Sequence, residues 1–99
     1  YGGRYFADVD WDFPNLREVY DIRIYRSGVR DFDDWGSLET ISNDLYLQYN
    51  EQLNDVTGIH GGDTVDYIYI YGNYSLGNTK GNSLVSSWSS VNSSYVSNN

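Results

Sequence analysis

Leu45-Tyr46-Leu47-Gln48-Tyr49-Asn50 decides how the rest of this 99-residue chain is read. Near-copies lie on both sides. Ile22-Arg23-Ile24-Tyr25 begins 23 residues earlier, and Ile68-Tyr69-Ile70-Tyr71-Gly72-Asn73 begins 23 residues later. Leu53 and Leu76 keep equal distances after the two later copies. A fixed spacing of this length is the sequence sign of a repeat architecture. Within each copy the apolar side chains recur every second residue, the period of a strand.

The flanks read as approach to and cover for these strands. In residues 1–14, Asp8, Asp10 and Asp12 alternate with Val9, Trp11 and Phe13 until Pro14 stops the pairing, so a capping strand is expected there. Residues 15–77 hold the repeats, with Gly28, Gly36, Gly58, Gly61-Gly62, Gly72 and Gly77 between the apolar points. The small offsets between copies fit one-residue insertions at Asn43 and near Asn50-Glu51. Segments between Gly, Asn and Asp are too short for helices, beyond a single turn in Asp34–Ile41 or Glu51–Val56. Residues 78–99 form a Ser/Asn-rich cap or tail. They follow a turn-like Gly77–Asn82 and are either a weakly ordered polar end or a degenerate last coil closed by Trp88 and Val91.

Composition narrows the function classes. Eleven tyrosines, no Cys and no Met favour strands and exclude a disulfide framework or thiolate metal site. A net charge of −8 argues against sequence-independent binding to nucleic acid, against a polybasic membrane patch, and no run is long enough for membrane insertion. The charge is uneven: the first 30 residues are mixed, residues 31–66 carry acids only, and Lys80 is the last charged residue. The chain begins at Tyr1, not Met, as expected of a processed form or a piece of something longer.

The pattern Leu38-x-x-Ile41, then Asp44-Leu45-Tyr46-Leu47-x-x-Asn50-x-x-Leu53-x-Asp55-Val56-x-Gly58-Ile59, resembles a repeat of the receptor L domain, a relative of the leucine-rich repeats. Residues 15–36 and 62–77 resemble it more loosely. The resemblance implies a right-handed solenoid with one short parallel strand per coil, cell-surface ligand recognition and no catalysis. The expected fold is therefore all-β: a short right-handed parallel β-solenoid of about three 23-residue coils with terminal caps. The alternative is a small β-sandwich with antiparallel strands.

Strand parity then assigns the side chains. If Ile22/Ile24, Leu45/Leu47 and Ile68/Ile70 point inward, then Arg23, Tyr25, Tyr46, Gln48, Tyr69 and Tyr71 face outward, with Tyr67 enlarging the patch. Such a face suits a protein or glycan ligand, or it merely stabilises the sheet. Asn50 and Asn73 are expected to stack as a structural ladder at the turns. Asp8, Asp10, Asp12, Asp31 and Asp33 offer hard oxygen ligands for Ca²⁺, although no EF-hand pattern is present; no other cofactor is expected. His60 stands alone beside Gly61-Gly62, and no nucleophile elbow or phosphate loop occurs, so no enzyme is expected. Two functions remain: an extracellular recognition or adhesion module at the cell surface, or a structural subunit that forms a homo-oligomer or filament through open solenoid ends. In the second, Arg17, Arg23, Arg26 and Arg30 meet the acids of a neighbouring copy.

Overall fold

The computed structural model describes residues 17–32, 38–59 and 61–99. The expected capping strand of residues 1–14 lies outside them. Five strands form one open sheet: β1 (Glu18–Val19), β2 (Ile22–Tyr25), β3 (Thr40–Gln48), β4 (Thr64–Tyr71) and β5 (Ser90–Ser97). β1 and β2 both pair with β3, β3 pairs with β4, and β4 with β5. Every pairing is parallel, which removes the antiparallel sandwich. A 3-10 turn (Thr57–Ile59) and one helix, α1 (Asn78–Ser87), complete the described elements.

The quoted stretch sets the register. Leu45 pairs with Ile22 on one side and Ile68 on the other, and Leu47 with Ile24 and Ile70. Between Ile41 and Asp44 the register against β4 shifts by one residue. This bulge falls at Asn43, one of the two places where the spacing fits an insertion; none is seen at the other, near Asn50-Glu51.

The inward set is closed. Ile24, Leu45, Leu47, Ile68 and Ile70 are fully buried, joined in one cluster by Val29, Phe32, Leu53, Val56, Ile59, Leu76, Leu84 and Trp88 from the connecting segments. Parallel strands need crossovers, and these crossovers supply the second layer of the core. Two glycines let that layer approach. A Cβ on Gly58 would lie 1.7 Å from the Phe32 carbonyl oxygen, and one on Gly62 would lie 2.2 Å from the Trp88 ring.

Each strand from β2 to β5 leaves the sheet by the same turn. Arg26, Tyr49, Gly72 and Asn98 all have positive φ, at 50°, 57°, 75° and 56°. Each precedes a ladder residue: Ser27, Asn50, Asn73 or Asn99. The Oδ1 of Asn50 accepts from the Ser27 amide at 3.0 Å and its hydroxyl at 2.7 Å. Asn73 Oδ1 accepts the same way from Asn50 N and Nδ2, at 2.9 and 3.1 Å. Asn99 Oδ1 accepts from Asn73 N and Nδ2, at 3.1 and 2.9 Å. Each Nδ2 also donates to the preceding strand, at Ile24 O, Leu47 O and Ile70 O. Asn50 and Asn73 are 0% exposed, yet their amides are satisfied.

One expectation for the C-terminal region needs correction. Gly77–Asn82 is not a turn, because α1 begins at Asn78. Its sequence is poor for a helix, but packing overrides propensity. Leu84 is buried, and Gly81 sits where a Cβ would come within 2.7 Å of Val96 and 3.6 Å of Ile70. Of the two readings of residues 78–99, the ordered one holds: Trp88 is buried, Val91 packs on the core, and the sheet gains a further strand. β5 continues it in constant register, Tyr69 to Tyr95 and Ile70 to Val96, at a spacing of 26 residues instead of 23. The fold is accordingly β-rich with one helix.

Candidate functional site

The outward residues of β2 to β5 lie in cross-strand columns. Arg23, Tyr46, Tyr69 and Tyr95 are register partners in one, and Tyr25, Gln48, Tyr71 and Ser97 in the next. Tyr67 lies on the same face, at a ring distance of 6.2 Å from Tyr69. The candidates Arg23, Tyr25, Tyr46, Gln48, Tyr67, Tyr69 and Tyr71 are thus brought together, all partly exposed.

The first column is a stack. Tyr46 and Tyr69 lie 4.5 Å apart at 12°, and Tyr69 and Tyr95 5.5 Å apart at 18°. Arg23 closes one end, its guanidinium 5.4 Å from the Tyr46 ring centre. It is fixed there by an ion pair with Asp44 and a second carboxylate, Asp21, at 3.5 Å. At the other end Tyr95 remains 46% exposed. Tyr49 joins at the turn edge, between Tyr25 at 6.2 Å and Tyr71 at 5.8 Å. Its ring covers Gly72, where a Cβ would lie 2.4 Å away.

Strand spacing makes this stacking possible, because parallel neighbours about 4.8 Å apart place register-paired rings near van der Waals contact. The ring faces therefore meet one another, and the surface shows ring edges and hydroxyls. Tyr46 OH donates to Gln48 at 2.9 Å, and Tyr25 OH accepts from Arg26 at 3.2 Å. Among the described residues, the hydroxyls of Tyr67, Tyr69, Tyr71 and Tyr95 have no hydrogen-bond partner, leaving four polar groups on an aromatic surface.

Crowding also changes the acidity of the column. Desolvation raises the Tyr46 pKa, with Arg23 opposing and Tyr25, Tyr67 and Tyr49 adding. Tyr69 is raised by desolvation, then by Tyr46, Tyr95, Tyr71 and Tyr67. In the unfolded chain both titrate near their ordinary value of about 10. Their contribution to stability is full below that pH. It is lost as pH rises through about 10 toward the raised folded values, because the unfolded state releases its protons first. The urea midpoint is expected to fall between about pH 9 and pH 11, and Tyr69→Phe to flatten that fall.

The other candidates divide. Asn50 and Asn73 are ladder residues, as described. Asp8, Asp10, Asp12, Asp33 and His60 lie outside the described residues. Asp31 is exposed, and no group of three His, Asp or Glu among the described residues is arranged to hold a metal. Arg17 pairs with Glu39 at 2.9 Å, Arg23 with Asp44, and Arg30 donates to Gln52 at 3.1 Å, all within the chain. No described helix is long and apolar enough to cross a membrane.

Tyr95, Tyr49, Asn99 and Asn78 were not reached by the sequence reading. Tyr95-Val96-Ser97-Asn98-Asn99 follows Tyr69-Ile70-Tyr71-Gly72-Asn73 residue for residue at a distance of 26, and that signal points to Tyr95 and Asn99. The chain matches no protein-family model, no curated protein and no solved structure.

Proposed function

We propose that this chain is a non-catalytic recognition or adhesion module of receptor L domain type, a short right-handed solenoid that acts outside the cell or at its surface. The observation that carries this reading is the aromatic face, with at least seven tyrosines on one side of the sheet and four hydroxyls unpaired within the described chain. Tyr combines large contact area with few rotatable bonds and a polar tip, so ordering such a face costs little on binding. Solenoid proteins commonly bind through the extended surfaces that their stacked repeats create.

Between the two ligand classes, the stacking favours protein. A sugar ring packs on an exposed aromatic face, and here the faces of Tyr46 and Tyr69 are covered by neighbouring rings, leaving only the outer face of Tyr95 at the end of the stack. Ring edges and hydroxyls suit a protein surface with apolar groups and hydrogen-bond partners. The fibre reading draws less support, because Arg17 and Arg23 already pair with acids of their own chain.

The test is binding of a displayed peptide library and an immobilised glycan panel by the wild-type chain and by Tyr46→Ser/Tyr69→Ser. Loss of these two anchors is expected to weaken binding at least about tenfold. Unchanged affinity in a folded double variant would remove the face as the site.

A further inference from the structure

We propose that β5 is a docking edge for a second copy of this chain, paired antiparallel to its counterpart about a two-fold axis perpendicular to the sheet. This inference goes beyond ligand recognition and does not depend on it.

β5 lacks the usual protection of a sheet edge. Among the described residues it pairs with β4 alone, and five of its eight residues, Ser90 and Asn92 to Tyr95, are exposed to solvent. Natural edges carry Lys, Pro, bulges or very short strands. β5 has eight residues, no Pro, no charge and one constant register against β4. Residues 81–99 form the longest stretch of the sequence without a charged side chain, in a chain of net charge −8. Two such chains repel one another over most of their surface, and this edge is where the repulsion is least. At the opposite end of the sheet, Arg17, Glu18, Asp21 and Arg23 crowd β1 and β2.

The orientation follows from Asn78. In the ladder, each Asn gives its amide and Nδ2 hydrogens to the Oδ1 of the next. Asn99 gives both to Asn78 Oδ1, at 3.0 and 3.1 Å. The first residue of α1 thus fills the place that a further parallel strand would supply. The Asn99 carbonyl is also taken, by the Gly77 amide at 2.9 Å. A head-to-tail neighbour would have to displace these bonds, whereas an antiparallel strand needs none of them. The antiparallel pair is isologous and closes as a dimer. Its axis leaves both tyrosine faces on the same side, with each Tyr95 beside the join.

The experiment is sedimentation velocity of the 99-residue chain over a micromolar concentration series, with Ser93→Lys/Ser94→Lys and Asn82→Lys/Ser86→Lys alongside. All four positions are exposed, and both variants lower the net negative charge equally. If only overall charge limits association, both variants tighten it. If β5 pairs with β5, lysines at the middle of the strand meet their own counterparts. The expected result is a wild-type dimer, at least a tenfold weaker one for the β5 variant, and no weakening for the helix variant. Hydrogen exchange of the wild-type β5 amides, slower at high than at low concentration, is the second readout should the β5 variant fail to fold. A wild type that stays monomeric, a β5 variant that dimerises as well as wild type, or particles that grow past two copies would each overturn the proposal.

Discussion

Asn73→Ala is expected to leave the chain largely unfolded at room temperature. The substitution removes the shared acceptor of Asn50 N and Nδ2, and the donor to Leu47 O. It also removes one of the two bonds that Asn99 Oδ1 accepts, leaving only the Asn73 backbone amide. All of this happens at a residue with no solvent access, so water does not replace the lost partners. A buried polar group left unpaired costs about 1–3 kcal/mol, and three such groups cost roughly 3–9 kcal/mol. A domain of this length has only about 5–15 kcal/mol in total. Asn73→Asp is no rescue. It keeps acceptors but has no donor for Leu47 O, and it places a charge against Asn99 Oδ1. Far-UV circular dichroism and urea titration check both variants. A native-like urea midpoint for Asn73→Ala would show that the ladder carries no weight.

Trp88→Ala is the second large effect, expected to cost about 3–5 kcal/mol. Trp88 is 4% exposed, its Nε1 donates to Ile59 O at 3.0 Å, and its ring lies on Gly62. It joins the segment after α1 to the connection that precedes β4, so its loss opens a cavity at the seam between them. Trp88→Phe keeps an aromatic ring but strands the Ile59 carbonyl, and about 1–3 kcal/mol is expected. The order wild type, Phe, Ala in thermal midpoint is the check. If Phe and Ala fall equally far, the hydrogen bond and not the packing dominates.

The strands around the quoted stretch were legible because their two signals agree. Strict alternation fixed the inward set Ile22, Ile24, Leu45, Leu47, Ile68 and Ile70, and the 23-residue spacing aligned them. The same arithmetic offered insertions at Asn43 and near Asn50-Glu51, and the bulge falls at the first alone. What followed residue 77 was hidden for a physical reason. α1 contains Gly81 and four Ser or Thr, a composition that reads as loop, and it is helical because Gly81 and Leu84 fit over Val96 and Ile70. β5 places Ser94 where the other strands place Ile68 and Leu45. An edge strand need not bury that position, so the apolar signal faded while the geometry continued. The outward face could be assigned by parity, but ring stacking could not, since it depends on register and rotamer. Tyr49 was missed because its positive φ turns it off the strand and over Gly72.

The ladder also bears on how the molecule can fold. Its bonds join residues 23 or 26 apart, and almost every pairing in the sheet has the same reach. No two of these strands pair through a tight turn, so the first pairing must close a loop of that size before any contact repays it. Every later closure has nearly the same length but meets a strand whose amides and side-chain acceptor are already in place. The first step is therefore the costly one, and order spreads from it in either direction along the row of asparagines.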